Sequence, residues 1–271
     1  MVTSEPVHFF DITSKLPGPS KSWSPNTLKT RLVLNYKGIP YTQSFISYPD
    51  IAPLLKSLAV PPLPDAEKMP YTLPAIVHKP SVKNNPHGAM NDSLPIALHL
   101  DEAFPAPQYP PLFPSGDASY ALALAVAKIL GNAAVKGFPL VLANIADILD
   151  DRGSKYFHET REKIFGKPLA ELRPQTDEGV QALWDDMQKE LSVLAGMLTG
   201  KKGKEGPFLE GARPGYADLE IAAWLAWWER VDKGTWEKMM GLGDGAFRRL
   251  WDASLPWVNG QGEEKEWPVP Q

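Results

Sequence analysis

Thr72-Leu73-Pro74-Ala75-Ile76-Val77-His78 is the stretch on which the fold turns. Ala75 to Val77 is a short apolar run of the kind that fits a pleated, buried strand. Pro74 stands at its entry and cannot donate a ladder hydrogen bond. It therefore belongs at a strand start or edge, or in a cis bend that would turn the Leu73 N–H and C=O outward. Reading outward, the chain returns as a looser strand up to Met90. It then enters a helix from Leu94 to Phe104, with Ile96, Ala97 and Leu100 on one face. Upstream, Pro49 to Leu58 reads as a helix and Tyr41 to Ile46 as a strand. Residues 25–37 read as a helix with Leu28, Leu32 and Tyr36 on one face, Val33 beside them and Gly38 as its stop. Val7 to Phe10 is a first short strand. The order β-α-β-α-β-β-α predicts helices against a four-stranded mixed sheet.

Beyond this segment the pattern changes. The 28 prolines crowd between Pro6 and Pro114 and thin out afterwards, so short elements give way to long helices. Residues 117–150 form an apolar stretch with Gly131, Gly137 and Pro139 as points of break or kink. Asp177 to Leu198 carries Val180, Leu183, Trp184, Met187, Leu191 and Leu194 at helical spacing, and Pro214 to Val231 reads as a buried central helix. Gly241 to Gly245 reads as a turn, and the tail after Pro256 as irregular. Two domains are expected, 1–106 and 115–271, joined by a proline-rich linker.

Composition excludes several functions. The chain of 271 residues has a formal net charge of −4 and no basic stripe for nucleic acid. It has no cysteine, so disulfides, thiolate metal sites, redox CxxC chemistry and a cysteine nucleophile are impossible. His8, His78, His87, His99 and His158 show no metal-ligand spacing, so no metal is expected. The start lacks the basic and apolar regions of a secretory signal, and no uninterrupted apolar run has spanning length. A cytoplasmic protein without a membrane span is the expectation.

The candidate chemistry lies at two helix starts. Ser24 precedes Pro25, so its hydroxyl either caps the helix or donates to an anion held at the positive helix end. Asp92-Ser93 precedes the third helix. Its backbone N–H groups and serine hydroxyl can hold a ligand carboxylate while Asp92 accepts from an ammonium. Trp224, Trp227 and Trp228 share one helix face, as core packing or as the wall of an aromatic pocket. Trp23 and Phe10 are candidates to line an apolar site.

Taken together, the chain resembles the cytosolic glutathione transferases. Ser24-Pro25 with Lys29-Thr30-Arg31 and Tyr36-Lys37-Gly38-Ile39-Pro40-Tyr41 is similar to the family's first helix and second strand. Leu73-Pro74-Ala75-Ile76 is similar to its cis-proline strand, and Asn91-Asp92-Ser93-Leu94-Pro95-Ile96 with Leu100-Asp101-Glu102 to its glutamyl-binding turn. Phe208-Leu209-Glu210-Gly211 with Pro214-Gly215-Tyr216-Ala217-Asp218 is similar to the start of its buried helix. The Trp-Ser-Pro-Asn wording most resembles fungal serine-type transferases of the FuA class, related to bacterial lignin β-etherases. Departures are the proline-rich approach to Leu73, Asp92 in place of glutamate, and Gly215 in place of a hydroxyl cap, which takes from Asp218 its capping-box partner.

The resemblance implies a thioredoxin-like N-terminal domain and an all-helical C-terminal domain, usually in a homodimer. It also implies glutathione as cosubstrate. Ser24 would be the donor that favours its thiolate, with Ser22 and Asn26 as neighbouring rivals. Leu73, Pro74, Asp92, Ser93 and Asn26 would bind the peptide. The second substrate would be a hydrophobic aromatic electrophile or aryl ether. A non-catalytic ligandin for polyphenols and a regulatory or scaffold protein are the other functions this fold admits.

Overall fold

The computed structural model describes residues 5–64 and 69–270. Strand β1 (Val7–Ile12) is wholly buried and pairs in parallel with β2 (Tyr41–Ile46), Val7 opposite Tyr41. On its other side β1 pairs antiparallel with β3 (Ala75–Val77), and β3 pairs antiparallel with β4 (Ala89–Asn91). Helices α1 (Pro25–Lys37), α2 (Ile51–Ser57) and α3 (Ser93–Ala103) complete this layer. The expected order is borne out. Proline at the first position of α1 and left-handed Gly38 after its last account for bounds that match the sequence reading.

The remainder is helical: α4 (Asp117–Ile148), α5 (Asp151–Phe165), α6 (Asp177–Thr199), α7 (Tyr216–Val231), α8 (Lys233–Met240) and α9 (Leu242–Asn259). α4 runs through Pro139 as one element. Gly137 is required there by close approach, since a Cβ would lie 2.7 Å from Met187 Sδ and 3.0 Å from the Trp228 ring. By length and composition α4 could cross a membrane; here it packs on α6 and α7. The expected turn at Gly241 to Gly245 is present as three left-handed residues, Gly243, Asp244 and Gly245. α7 is the central helix, with Trp228 fully buried, and it packs on α1 across the boundary between the layers.

The sheet corrects the sequence reading. It has five strands among the described residues, in the order β4-β3-β1-β2-β5, and β5 (Glu263–Glu264) comes from the tail read as irregular. The helical part also extends past Pro256, to Asn259. β5 pairs in parallel with β2, and the Lys265 N–H donates to Gln43 O at 2.8 Å. Arg31 Nε donates to Gly260 O at 2.9 Å, and Asn35 Nδ2 to Trp257 O at 2.7 Å, which turns the tail toward the sheet. Trp267 then packs on His8 and Phe10, with ring centroids 4.6 and 5.0 Å apart. Truncation after Gly260 should therefore cost about 2–3 kcal/mol, from the lost hydrogen bonds and half-buried indole, read from urea unfolding. An unchanged midpoint would make the tail peripheral.

Candidate functional site

Two cavities meet at the N-terminus of α1. The smaller, about 320 Å³, is bordered by Ser24, Asn26, Tyr48, Lys56, Tyr71 and Leu73 among others. The larger, about 490 Å³, shares Ser24, Asn26, Tyr48, Met69 and Arg161 and continues between α1, α4, α5 and α7 over aromatic and aliphatic side chains. Ser24 is 6% exposed, and its hydroxyl makes no capping bond. The first intrahelical backbone bond is Leu28 N–H to Ser24 O at 2.9 Å. The Asn26 and Thr27 N–H groups are thus unspent, and the helix end presents partial positive charge beside a free hydroxyl.

The rival hydroxyl is committed elsewhere. Ser22 is fully buried and donates to Asp11 Oδ2, while Asp11 Oδ1 accepts from Ile12 N–H at 2.7 Å. This pair fixes the loop that carries Ser24. Asn26 remains exposed in both cavities.

The Leu73–Pro74 bond is cis, one of the two geometries the sequence left open. The Leu73 N–H and C=O make no hydrogen bond among the described residues, and Leu73 borders the smaller cavity. The β3–β4 register then brings Asp92 opposite Pro74, and Asp92 N–H donates to Pro74 O at 3.2 Å. Asp92 has φ +74° and ψ 131°, a region costly for a residue with a Cβ. The strain holds its exposed carboxylate at the start of α3, above Ser93, which is 7% exposed. Pro74, Asp92 and Ser93 lie next to Leu73 in the fold but border neither cavity.

The apolar wall was legible in part. Trp23, Trp224 and Trp227 border the larger cavity, whereas Trp228 is core. Phe10 is a correction: it is fully buried in the sheet against Trp267 and reaches neither cavity, because β1 is central and covered on both faces. Phe138, Phe157 and Arg161 are wall residues that sequence reasoning missed. α5 is docked by Asp150, whose carboxylate accepts from Gly153 N–H at 3.2 Å and Ser47 Oγ at 2.8 Å, and by a two-pronged Arg152–Asp50 ion pair. The signal for it was the spacing of Phe157, Arg161 and Phe165 at four-residue intervals.

Behind the larger cavity Lys29 Nζ lies 3.5 Å from Glu220 Oε1. Burial pushes the Glu220 carboxyl up to about 7, against the pull of the Lys29 ammonium. The folded chain therefore holds a proton that the unfolded chain releases above its ordinary value of 4.5, and stability falls as pH rises from about 4.5 to 7. Glu220→Gln should match the wild type near pH 4.5 and exceed it by about 2–3 kcal/mol at pH 8 in urea unfolding. A difference independent of pH would refute that reading.

Comparison with known proteins gives the family. The glutathione S-transferase N-terminal domain matches residues 23–103, and the glutathione S-transferase C-terminal domain matches residues 121–257. The chain belongs to the glutathione S-transferase family. This transferase-family chain is 60% identical over 268 residues to the glutathione S-transferase-like protein ustS of Aspergillus flavus, covering 98% of this chain and 96% of that one. Its fold is similar to a Ceriporiopsis subvermispora glutathione S-transferase crystallised with glutathione, with TM-score 0.82, 29% identity, and 93% and 98% of the two chains covered. It is also similar to the glutathione transferase FuA2 of Phanerochaete chrysosporium, with TM-score 0.78, 30% identity, and 94% and 99% covered. The resemblance to fungal FuA-class transferases is thus borne out, as is the thioredoxin-like layer followed by helices.

Proposed function

We propose that the chain is a serine-type glutathione transferase. Ser24 and the unspent N–H groups of α1 favour the thiolate of bound glutathione, whose thiol otherwise ionises with a pKa of about 8.5. Leu73 N–H and C=O pair with the peptide, with Pro74 setting their direction, and Asn26 reaches it from the α1 end. Asp92 accepts from the glutamyl ammonium, while Ser93 takes the glutamyl carboxylate on its backbone N–H and hydroxyl. The thiolate attacks an aromatic electrophile in the larger cavity, or displaces a phenolate from an aryl ether, and the leaving group departs with the bonding pair. Ser24 itself forms no covalent bond.

The observation that carries this reading is the free Ser24 hydroxyl where the two cavities meet, beside the unspent backbone of Leu73. The relative crystallised with glutathione supports it. A homodimer, a cytoplasmic setting and a division into glutathione-binding 1–106 and helical 115–271 belong to the same proposal. The aromatic wall also favours a second reading, a ligandin that binds polyphenols without turnover; binding without conjugate across varied electrophiles would select it.

Calorimetric titration with glutathione tests the site. Asp92→Asn should weaken binding about tenfold at unchanged melting temperature, the scale of one charge-assisted hydrogen bond. No measurable affinity in the wild type would remove the proposal.

A further inference from the structure

We propose that the second substrate is an aromatic electrophile carrying an anionic group, and that Arg161 on α5 binds that group. The inference rests on the transferase reading of the same site. Among the described residues three cations border the cavities. Lys29 Nζ is turned to Glu220 Oε1 at 3.5 Å and borders the larger cavity alone, and Lys56 lies over the Tyr71 ring in the smaller cavity alone. Arg161 borders both cavities and has no carboxylate within 4.0 Å among the described residues.

Among the described residues its one polar contact is Nη1 donating to Thr160 Oγ1 at 2.9 Å, which leaves the other guanidinium N–H groups unspent there. The guanidinium carbon stands 4.4 Å from the centre of the Phe157 ring and 5.4 Å from that of Tyr48. These rings hold the cation in a fixed attitude and reduce its access to water. Among the described residues no aspartate or glutamate borders either cavity. The larger one offers Trp23, Trp224 and Trp227 to an aromatic ring. An apolar slot with one unspent, planar cation fits an arene bearing a carboxylate or phenolate. A neutral arene would leave that cation partly desolvated and unpaired.

The test uses 4-chloro-3,5-dinitrobenzoate and its methyl ester, which share the reacting ring. Glutathione thiolate attacks the chlorine-bearing carbon, the C–S bond forms, and chloride leaves with the C–Cl pair. Binding is read separately with the unreactive 4-amino analogues, by quenching of tryptophan fluorescence. The wild type should bind the benzoate at least tenfold more tightly than the ester, the scale of a hydrogen-bonded charge pair. In Arg161→Met that ratio should fall close to one, and Arg161→Lys should retain part of it. Affinity for the ester and for glutathione should change less than threefold in both variants. A ratio that survives Arg161→Met, or a wild type without preference, overturns the inference. Loss of glutathione affinity instead would assign Arg161 to the peptide and overturn it too. A preserved binding ratio with no turnover of either probe would sink the transferase reading while leaving the anion site at Arg161.

Discussion

Ser24→Ala is expected to raise the thiol pKa of bound glutathione by about one to two units, the effect of removing one hydrogen bond to an anion. At pH 7 turnover should fall about 10- to 100-fold. At pH well above the thiol's own pKa the deficit should shrink, because the thiolate then forms without help. Glutathione affinity should change little, since the peptide contacts proposed above run mainly through Leu73, Asp92 and Ser93. The measurement is a pH profile of kcat/KM together with the ultraviolet absorbance of the bound thiolate. Stability gives an independent reading. The Ser24 hydroxyl makes no capping bond, so the substitution should cost less than about 0.5 kcal/mol, where loss of a capping serine costs about 1. A loss of 1 kcal/mol with an unchanged thiol pKa would return Ser24 to a structural role.

Three other groups stand near the donor position, and the structure narrows the competitors to two. Ser22 is spent on Asp11. Asn26 stays exposed at the same helix end. Tyr48 borders both cavities, and burial pushes its phenol above its ordinary pKa against the pull of Arg161, so it is a protonated donor at neutral pH. Ser24→Ala with unchanged profiles would direct attention first to Asn26→Ala and then to Tyr48→Phe.

The parts of this site that were legible in the sequence are those fixed by local chemistry. Ser24-Pro25 and Gly38 bound α1 because proline and glycine dictate backbone angles wherever they occur. Leu73-Pro74 was legible for the same reason and Asp92 as the residue before a helix start, and the register of β3 against β4 then brought them together. What escaped depends on contacts far apart in the chain. β5 is two exposed glutamates with no pattern, made a strand only by the edge of β2. α5 mixes Lys155, Glu159, Glu162 and Lys163 with a buried Phe157, and its place comes from Ser47 and Asp50, some hundred positions earlier. Phe10 was misassigned because periodicity marks it as buried without saying in which layer.

Asp218→Ala is expected to be the most destabilising single substitution considered, by about 3–4 kcal/mol in urea unfolding. Gly215 has no side chain to return a capping bond, as the sequence implied, yet the acid half of the arrangement survives. Asp218 Oδ2 accepts from Gly215 N–H at 2.9 Å, and Oδ1 accepts from Leu209 N–H at 2.8 Å. One carboxylate, 1% exposed, therefore ties the 208–215 loop to the first turn of α7. Burial pushes its pKa up to about 6, and the two N–H donors are the first influences to pull it back. Alanine would remove the acceptor and leave two backbone donors without partners, each costing about 1–3 kcal/mol where water cannot reach them. Asp218→Asn should lose roughly half as much, because its single oxygen can satisfy one donor while its amide opposes the other. α7 carries Glu220, Trp224 and Trp227, so the weakened structure lies directly behind the larger cavity. If Ser24 and the α1 terminus govern the bound thiol pKa, as proposed, it should nevertheless stay where it is in folded Asp218→Ala. A shifted thiol pKa in that variant would mean that the first turn of α7 governs the position of Ser24, and that scaffold and donor are not separate.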